Sequence, residues 1–274
     1  MYNYHIQMLM TEHGLGDALY VKDKSSVKEF TLEMDGGLGN KLFKLAGGLT
    51  VSSQTNRKLV FPKNYQGGYP HSSEYYFDTI LRNLKFEQPS CSTYVKVDDI
   101  DSYTYENWAE RLHDKNYPIE IDNYFQHWMY IPSTFCDMLH FNTDIVLKYP
   151  NIQNRIFIHI RGGDYKYINL PNMDNYYQKA VCEFPEDTEY VIFTNDIPFA
   201  LTKNWLPKNH IFINESEVDT LYLMSKCKGG IAVNSTFSWW GAYLNPNRKL
   251  ILPSHYFSTE KRGTGFHFPG ATVI

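Results

Sequence analysis

Between Arg155 and Leu252 the chain alternates short apolar runs with segments of helical apolar spacing, and this restricts it to a parallel α/β sheet. The runs are Arg155–Ile160 (RIFIHI), Glu189–Thr194 (EYVIFT), His210–Ile213 (HIFI), Gly230–Val233 (GIAV) and Leu250–Leu252. The first is apolar on successive residues, as a strand covered on both faces requires. Helices are predicted over Tyr176–Glu183, Val218–Ser225 and Phe237–Leu244. An earlier unit follows the same order: a strand at 30–34, the turn Gly36-Gly37-Leu38-Gly39-Asn40, a helix carrying Leu42, Leu45, Ala46 and Leu49, and a strand at 59–61 stopped by Pro62. The expected fold is α/β, with two Rossmann-like domains facing a cleft. Residues 1–150 form the first domain and 151–274 the second, joined by the polar link Asn151–Asn154. Ile119–Tyr130 reads as a strand ending in an aromatic cluster, and Gly14–Asp17 as an ordinary turn. Residues 62–118 are mixed and polar and show no regular period.

The 274 residues suffice for two α/β domains of ordinary size or one large one, and at 43% hydrophobic they allow a sizeable core. Aromatic residues make up 16%, including 22 Tyr, which suits surfaces that stack on sugar rings; a Tyr-rich genome gives the same figure. A net charge of -4 with no basic stretch argues against nucleic-acid binding. Cys91, Cys136, Cys182 and Cys227 are too scattered for a zinc site or a disulfide framework and read as free thiols. The N-terminus lacks a basic region followed by an apolar run, and no apolar run reaches spanning length. The expectation is a cytoplasmic protein, or a chain trimmed of its anchor.

In such sheets ligands sit beyond the carboxyl ends of the strands. Four clusters follow the strands: the Gly36–Asn40 loop, Arg161-Gly162-Gly163-Asp164 after RIFIHI, Thr194-Asn195-Asp196 after YVIF, and Asn234-Ser235-Thr236-Phe237-Ser238 after GIAV. Arg161 suits a phosphate. Gly162 and Gly163 allow close backbone approach. Ser235, Thr236 and Ser238 open a helix whose N–H groups attract an anion. Asp196 offers two acceptors to the N–H edge of guanine. Singly, each has an ordinary explanation as a cap, a surface ion pair or a turn former; together they describe a nucleoside-diphosphate site. A dinucleotide enzyme fits less well, because the first loop lacks the third glycine at its proper spacing.

These segments resemble the alpha-1,2-fucosyltransferases of glycosyltransferase family 11. The resemblance rests on GGLGNKLF, on His159-Ile160-Arg161-Gly162-Gly163-Asp164, on Phe193–Asp196, and above all on NSTFSWWGA from Asn234 to Ala242. Tyr124–Gln126 and Asp219–Cys227 also fit, and the likeness covers about residues 31–257. It implies a GT-B type fold and an inverting hexosyltransferase, galactoside 2-alpha-L-fucosyltransferase-like, that uses GDP-fucose and needs no divalent metal. Its partners are a GDP-sugar donor and a galactose-containing glycan acceptor. By the same resemblance Arg161 holds the β-phosphate, and His159 and Asp196 lie near the guanosine. Gly37, Gly39, Asn234, Ser235, Thr236 and Ser238 serve the nucleotide, with Asn40 close to the sugar and acceptor.

Two departures stand out. Gly162 replaces the second Arg of the family pair, and Lys41 replaces a Gln and is placed to restore a charge from the opposite side. A different GDP-sugar, or a decayed binding protein, therefore stays open. Asp164 and Asp35 are the candidate bases, although Asp164 also suits a role in orienting Arg161 or Lys166. The pair Asp99 and Asp101 reads as a solvated turn and not as a metal ligand.

Overall fold

A computed structural model describes residues 4–6, 20–22, 28–61, 76–97, 101–163, 172–245, 248–255 and 264–274. Strands β1 (Tyr4–Ile6) and β2 (Tyr20–Lys22) pair antiparallel. Then come β3 (Glu29–Leu32), α1 (Leu38–Thr55), β4 (Lys58–Leu59), β5 (Val95–Val97), α2 (Trp108–Arg111), β6 (Ile119–Ile121), α3 (Phe135–Met138) and α4 (Ile145–Lys148). The second half runs β7 (Ile156–Ile160), α5 (Asp174–Cys182), β8 (Tyr190–Thr194), α6 (Ile197–Leu201), β9 (His210–Ile213), α7 (Glu217–Lys226), β10 (Gly229–Ile231), α8 (Thr236–Tyr243), β11 (Lys249–Leu252) and β12 (Thr272–Val273).

Two parallel sheets result. The first has the order β4-β3-β6-β5 and the second β12-β11-β10-β7-β8-β9. This is the two-lobed α/β architecture read from the sequence. The Ile119–Tyr130 segment departs from that reading. Only its first three residues are strand; Phe125 then turns into the left-handed region (φ 51°), its N–H donating to Asn123 Oδ1 at 2.6 Å. The turn Gly14–Asp17 lies outside the described residues.

Side chains alternate across the second sheet with period two. Ile156, Ile158 and Ile160, with Tyr190 and Ile192, pack beneath α5 and α6. Phe157, Val191 and Phe193 face the other way, into a core that continues through α7 and α8 into the first lobe. The continuity depends on α1 and α8. Phe43 on α1 meets the rings of Trp239 at 4.6 Å and Trp240 at 5.1 Å, and all three side chains are fully buried. Trp240 Nε1–H donates to the Gly39 carbonyl at 3.0 Å, joining the N-terminal ends of the two helices across the lobes. The C-terminal segment returns to this junction, where Phe266 packs on Phe43 and accepts from Trp239 Nε1–H. Among the described residues no helix is long and apolar enough to cross a membrane.

Candidate active site

Each sheet has one point where the strand order reverses. After β7 the chain builds outward through β8 and β9, then returns to place β10 on the opposite side of β7. In the first sheet β4 and β6 likewise flank β3. Crevices open at such switch points, because the loops leave in opposite directions. Here the two crevices face each other. The loops after β3 and β6 and those after β7 and β10 line one cavity of about 450 Å³.

Both lobes contribute polar loop residues to this cavity. Of the residues read from the sequence as nucleotide-binding, Gly37, Gly39, Asn40, His159, Arg161, Asn234, Ser235 and Thr236 line it. Helices α1 and α8 both point their N-termini there. Neither Gly37 nor Ser235, their N-cap residues, makes a side-chain capping bond, and neither first turn holds an acidic residue. Both helix ends thus present backbone N–H groups and a positive dipole end. The two ends touch: a Cβ on Gly39 would lie 2.5 Å from Phe237 N and from Thr236 C, so only glycine allows this approach. Asn40 Oδ1 accepts from Gln126 Nε2 at 3.0 Å and from Thr236 Oγ1 at 2.9 Å, which leaves the amide N–H₂ as the donor face. Arg161 supplies the full charge; among the described residues no other Arg or Lys lines the cavity.

Several sequence expectations need correction. Asp196 does not line the cavity. It caps α6, accepting from Phe199 N at 3.0 Å with one oxygen and from Gly163 N at 3.3 Å with the other, so it holds the loop that carries Arg161. Ser238 is fully buried, and its hydroxyl closes the β10–α8 turn on the Val233 N–H and carbonyl instead of meeting a ligand. Gly162 serves close approach, but toward α6: a Cβ there would lie 2.5 Å from Asp196 Cβ and 3.0 Å from Phe199 Cδ1. The second family Arg therefore has no room in this packing. Lys41 does not replace its charge, since its ammonium turns onto the Gly36 carbonyl, outside the cavity lining. Asp164, Lys166 and Asp99 lie outside the described residues. Asp101 accepts from Tyr103 N at 3.0 Å and Thr104 Oγ1 at 3.1 Å, as a turn residue does.

His159 follows Phe157 on the inner face of β7 and packs on Phe237, with ring centroids 5.5 Å apart. It is 4% exposed, and its Nδ1 has no hydrogen-bond partner. Burial, with the Arg161 charge second, pushes its pKa down from 6.5 to about 3. The ring is neutral at any working pH. Below pH 6.5 the unfolded chain takes up a proton that the folded chain refuses, so stability falls as pH drops from 6.5 toward 3. Urea midpoints at pH 7 and pH 4.5 should show this loss, and His159→Gln should remove part of it.

The loop after β6 adds further first-lobe residues to the lining. Tyr124 and Gln126 come from that loop, and Tyr103 lines the cavity with them. Tyr124 donates its hydroxyl proton to Asp35 Oδ2 at 2.6 Å. Asp35 Oδ1 pairs with the ammonium of Lys44, a side chain with 0% exposure. Lys44 also donates to the Glu33 carbonyl at 2.7 Å and lies 4.2 Å from the centroid of the Tyr124 ring. Burial raises the Asp35 pKa, but the hydrogen bonds from Lys44 and Tyr124, with the Lys44 charge, outweigh it and hold the carboxyl below its ordinary range. Burial and then Asp35 push the Tyr124 phenol up, so it stays protonated.

Beyond β8 and β9 the cavity is lined by Asn195, Asn214, Glu217 and Thr220. Thr220 falls in the helix predicted over Val218–Ser225 and in the Asp219–Cys227 segment, Glu217 just outside both, and no spacing rule marks either as a site residue. Their one available signal is position: they follow a strand end in a parallel sheet.

The family model described as Glycosyl transferase family 11 matches residues 17–262. The O-antigen biosynthesis glycosyltransferase WbnK of Escherichia coli is 32% identical over 46% of this chain and 46% of that protein. The alpha-1,2-colitosyltransferase of Escherichia coli is 32% identical over 39% of this chain and 43% of its own length. The match thus spans less than half of each curated relative. Among solved structures, the NodZ alpha-1,6-fucosyltransferase soaked with GDP-fucose aligns with 80% of this chain and 93% of its own, at 13% identity and a TM-score of 0.46.

Proposed function

The chain belongs to glycosyl transferase family 11, and from that membership and its cleft we propose that it moves fucose from GDP-fucose to a glycan hydroxyl, the 2-hydroxyl of a terminal galactose. The observation that carries this reading is the meeting of two uncapped helix N-termini in the interlobe cavity that Arg161 also lines. Arg161 and the α8 N–H groups take the diphosphate. The nucleoside runs along the strand ends from β10 toward β9, about 14 Å for three strand spacings, and meets Asn195, Asn214, Glu217 and Thr220. The sugar faces Asn40 and the first-lobe wall.

Transfer displaces the diphosphate from the anomeric carbon with inversion. Negative charge grows on the leaving phosphate, and Arg161 with the helix ends meets it where it develops. The positive charge resides in the protein, so no divalent ion is needed in this account.

The test is product analysis by mass spectrometry with GDP-fucose, a panel of galactose-terminated acceptors, and EDTA present. The expected result is a fucosylated glycan and GDP. Transfer of colitose, a fucose analogue, is the second reading, favoured by the curated relative named for it. Product from that donor and none from GDP-fucose would replace the first reading. GDP binding without turnover of either donor would identify a binding protein.

A further inference from the structure

Resting on the proposed donor, we propose that Tyr124 and Asp35 form a proton relay for the attacking acceptor hydroxyl. Three geometric facts carry it. Tyr124 lines the cavity from the first lobe, whereas Arg161 enters it from the second, so a nucleophile held at Tyr124 lies on the lobe that does not carry the guanidinium. Its hydroxyl proton is committed to Asp35 Oδ2 at 2.6 Å, so the phenol oxygen offers only lone pairs to the cavity. Asp35 does not line the cavity and reaches it through Tyr124, while its side chain remains 37% exposed and exchanges protons with solvent.

The bond from the anomeric carbon to the phosphate oxygen breaks, and its electron pair leaves on the diphosphate. The acceptor oxygen bonds to that carbon. The acceptor's proton passes to Tyr124 Oη as the proton of Tyr124 passes to Asp35 Oδ2. The tyrosine ends neutral and Asp35 ends as a carboxylic acid, which returns the proton to water. Tyr124 touches substrate and is the catalytic residue; Asp35 and Lys44 are positioning residues.

Lys44 keeps Asp35 ionised before the step, and the other charged groups nearby are arranged around it. Lys41 on the same helix also bears on Asp35. Asp122 and Tyr103 bear on Tyr124. Lys96 neutralises both Asp122 and Glu33, at 2.9 and 3.1 Å. This leaves Lys44 as the cation in contact with Asp35.

The experiment measures fucose transfer from GDP-fucose to lactose and to water across pH, with GDP affinity by calorimetry, for Tyr124→Phe, Asp35→Asn and Lys44→Met. Tyr124→Phe and Asp35→Asn should keep GDP affinity within about twofold and lose on the order of 10²-fold in kcat. Lys44→Met should stay active at high pH but move the acid limb of the kcat/KM profile upward, because Asp35 loses the cation that favours its charged form. Should Lys44→Met fail to fold, Tyr124→Phe decides, since it keeps the ring over the ammonium. Wild-type kcat in Tyr124→Phe would overturn the relay alone. So would an unmoved acid limb in a folded, active Lys44→Met. A wild-type chain that binds no GDP would overturn the donor reading and the relay with it.

Discussion

Arg161→Ala should lower kcat/KM for GDP-fucose by about 10²–10³, equivalent to roughly 2.7–4 kcal/mol of lost transition-state stabilisation. Among the described residues it is the cavity's one Lys or Arg. The neighbouring position cannot compensate, because Gly162 lies against Asp196 and Phe199. Lys41 cannot either, because its ammonium is bound to the Gly36 carbonyl. The helix ends survive the substitution and retain part of the attraction for the diphosphate, so the loss stays finite. Arg161→Lys should recover only part of it, since a point charge cannot reproduce the bidentate fork. Steady-state kinetics with varied donor measures both variants. A loss in kcat as well as in kcat/KM places the interaction in the transition state.

Trp240→Ala should cost about 3–5 kcal/mol of stability, the range for removing a large buried aromatic side chain. Trp240 is fully buried, lies 5.1 Å from Phe43 and 5.6 Å from Phe135 by ring centroid, and bonds the Gly39 carbonyl. Its removal opens a cavity at the lobe junction and strips the Gly39 carbonyl of its donor. Trp240→Phe keeps most of the packing and loses the hydrogen bond, so about 1–2 kcal/mol is expected. Denaturant unfolding midpoints measure both. Trp240→Ala should also weaken GDP binding, because the N-terminus of α1 is held against α8 through this ring.

Much of the second lobe was legible because its strands are buried on both faces. Strands β7 and β8 carry continuous apolar runs, and the clusters that follow them had to sit at the cleft. The edges were not legible. Strand β5 reads Val-Lys-Val with an exposed Val95, and β12 is two exposed residues. Edge strands carry polar and charged residues, which erases the apolar signal. In the site, residue type was enough to place Arg161, Asn40 and Thr236 at the cavity, because loops at strand ends gather there. It misplaced Asp196 and Ser238, because a carboxylate or hydroxyl at a helix start caps backbone N–H groups as readily as it meets a ligand. Lys41 failed for a different reason. Only the folded α1, pressed between a sheet and α8, determines which way a lysine in its first turn points. Tyr124 and Asp35 lie 89 residues apart and meet only at a switch point, which no local pattern encodes.

The central claim is that one guanidinium and two helix N-termini hold a pyrophosphate without a cation. Calorimetric titration of GDP into the wild-type chain and Arg161→Ala, each in EDTA and again with added Mg²⁺, tests it directly. The account predicts wild-type binding that is unchanged by Mg²⁺ and weakened about 10- to 10²-fold by the substitution, as the loss of a charge-assisted hydrogen bond implies. Binding that appears only with Mg²⁺, or that survives loss of Arg161 intact, would contradict it.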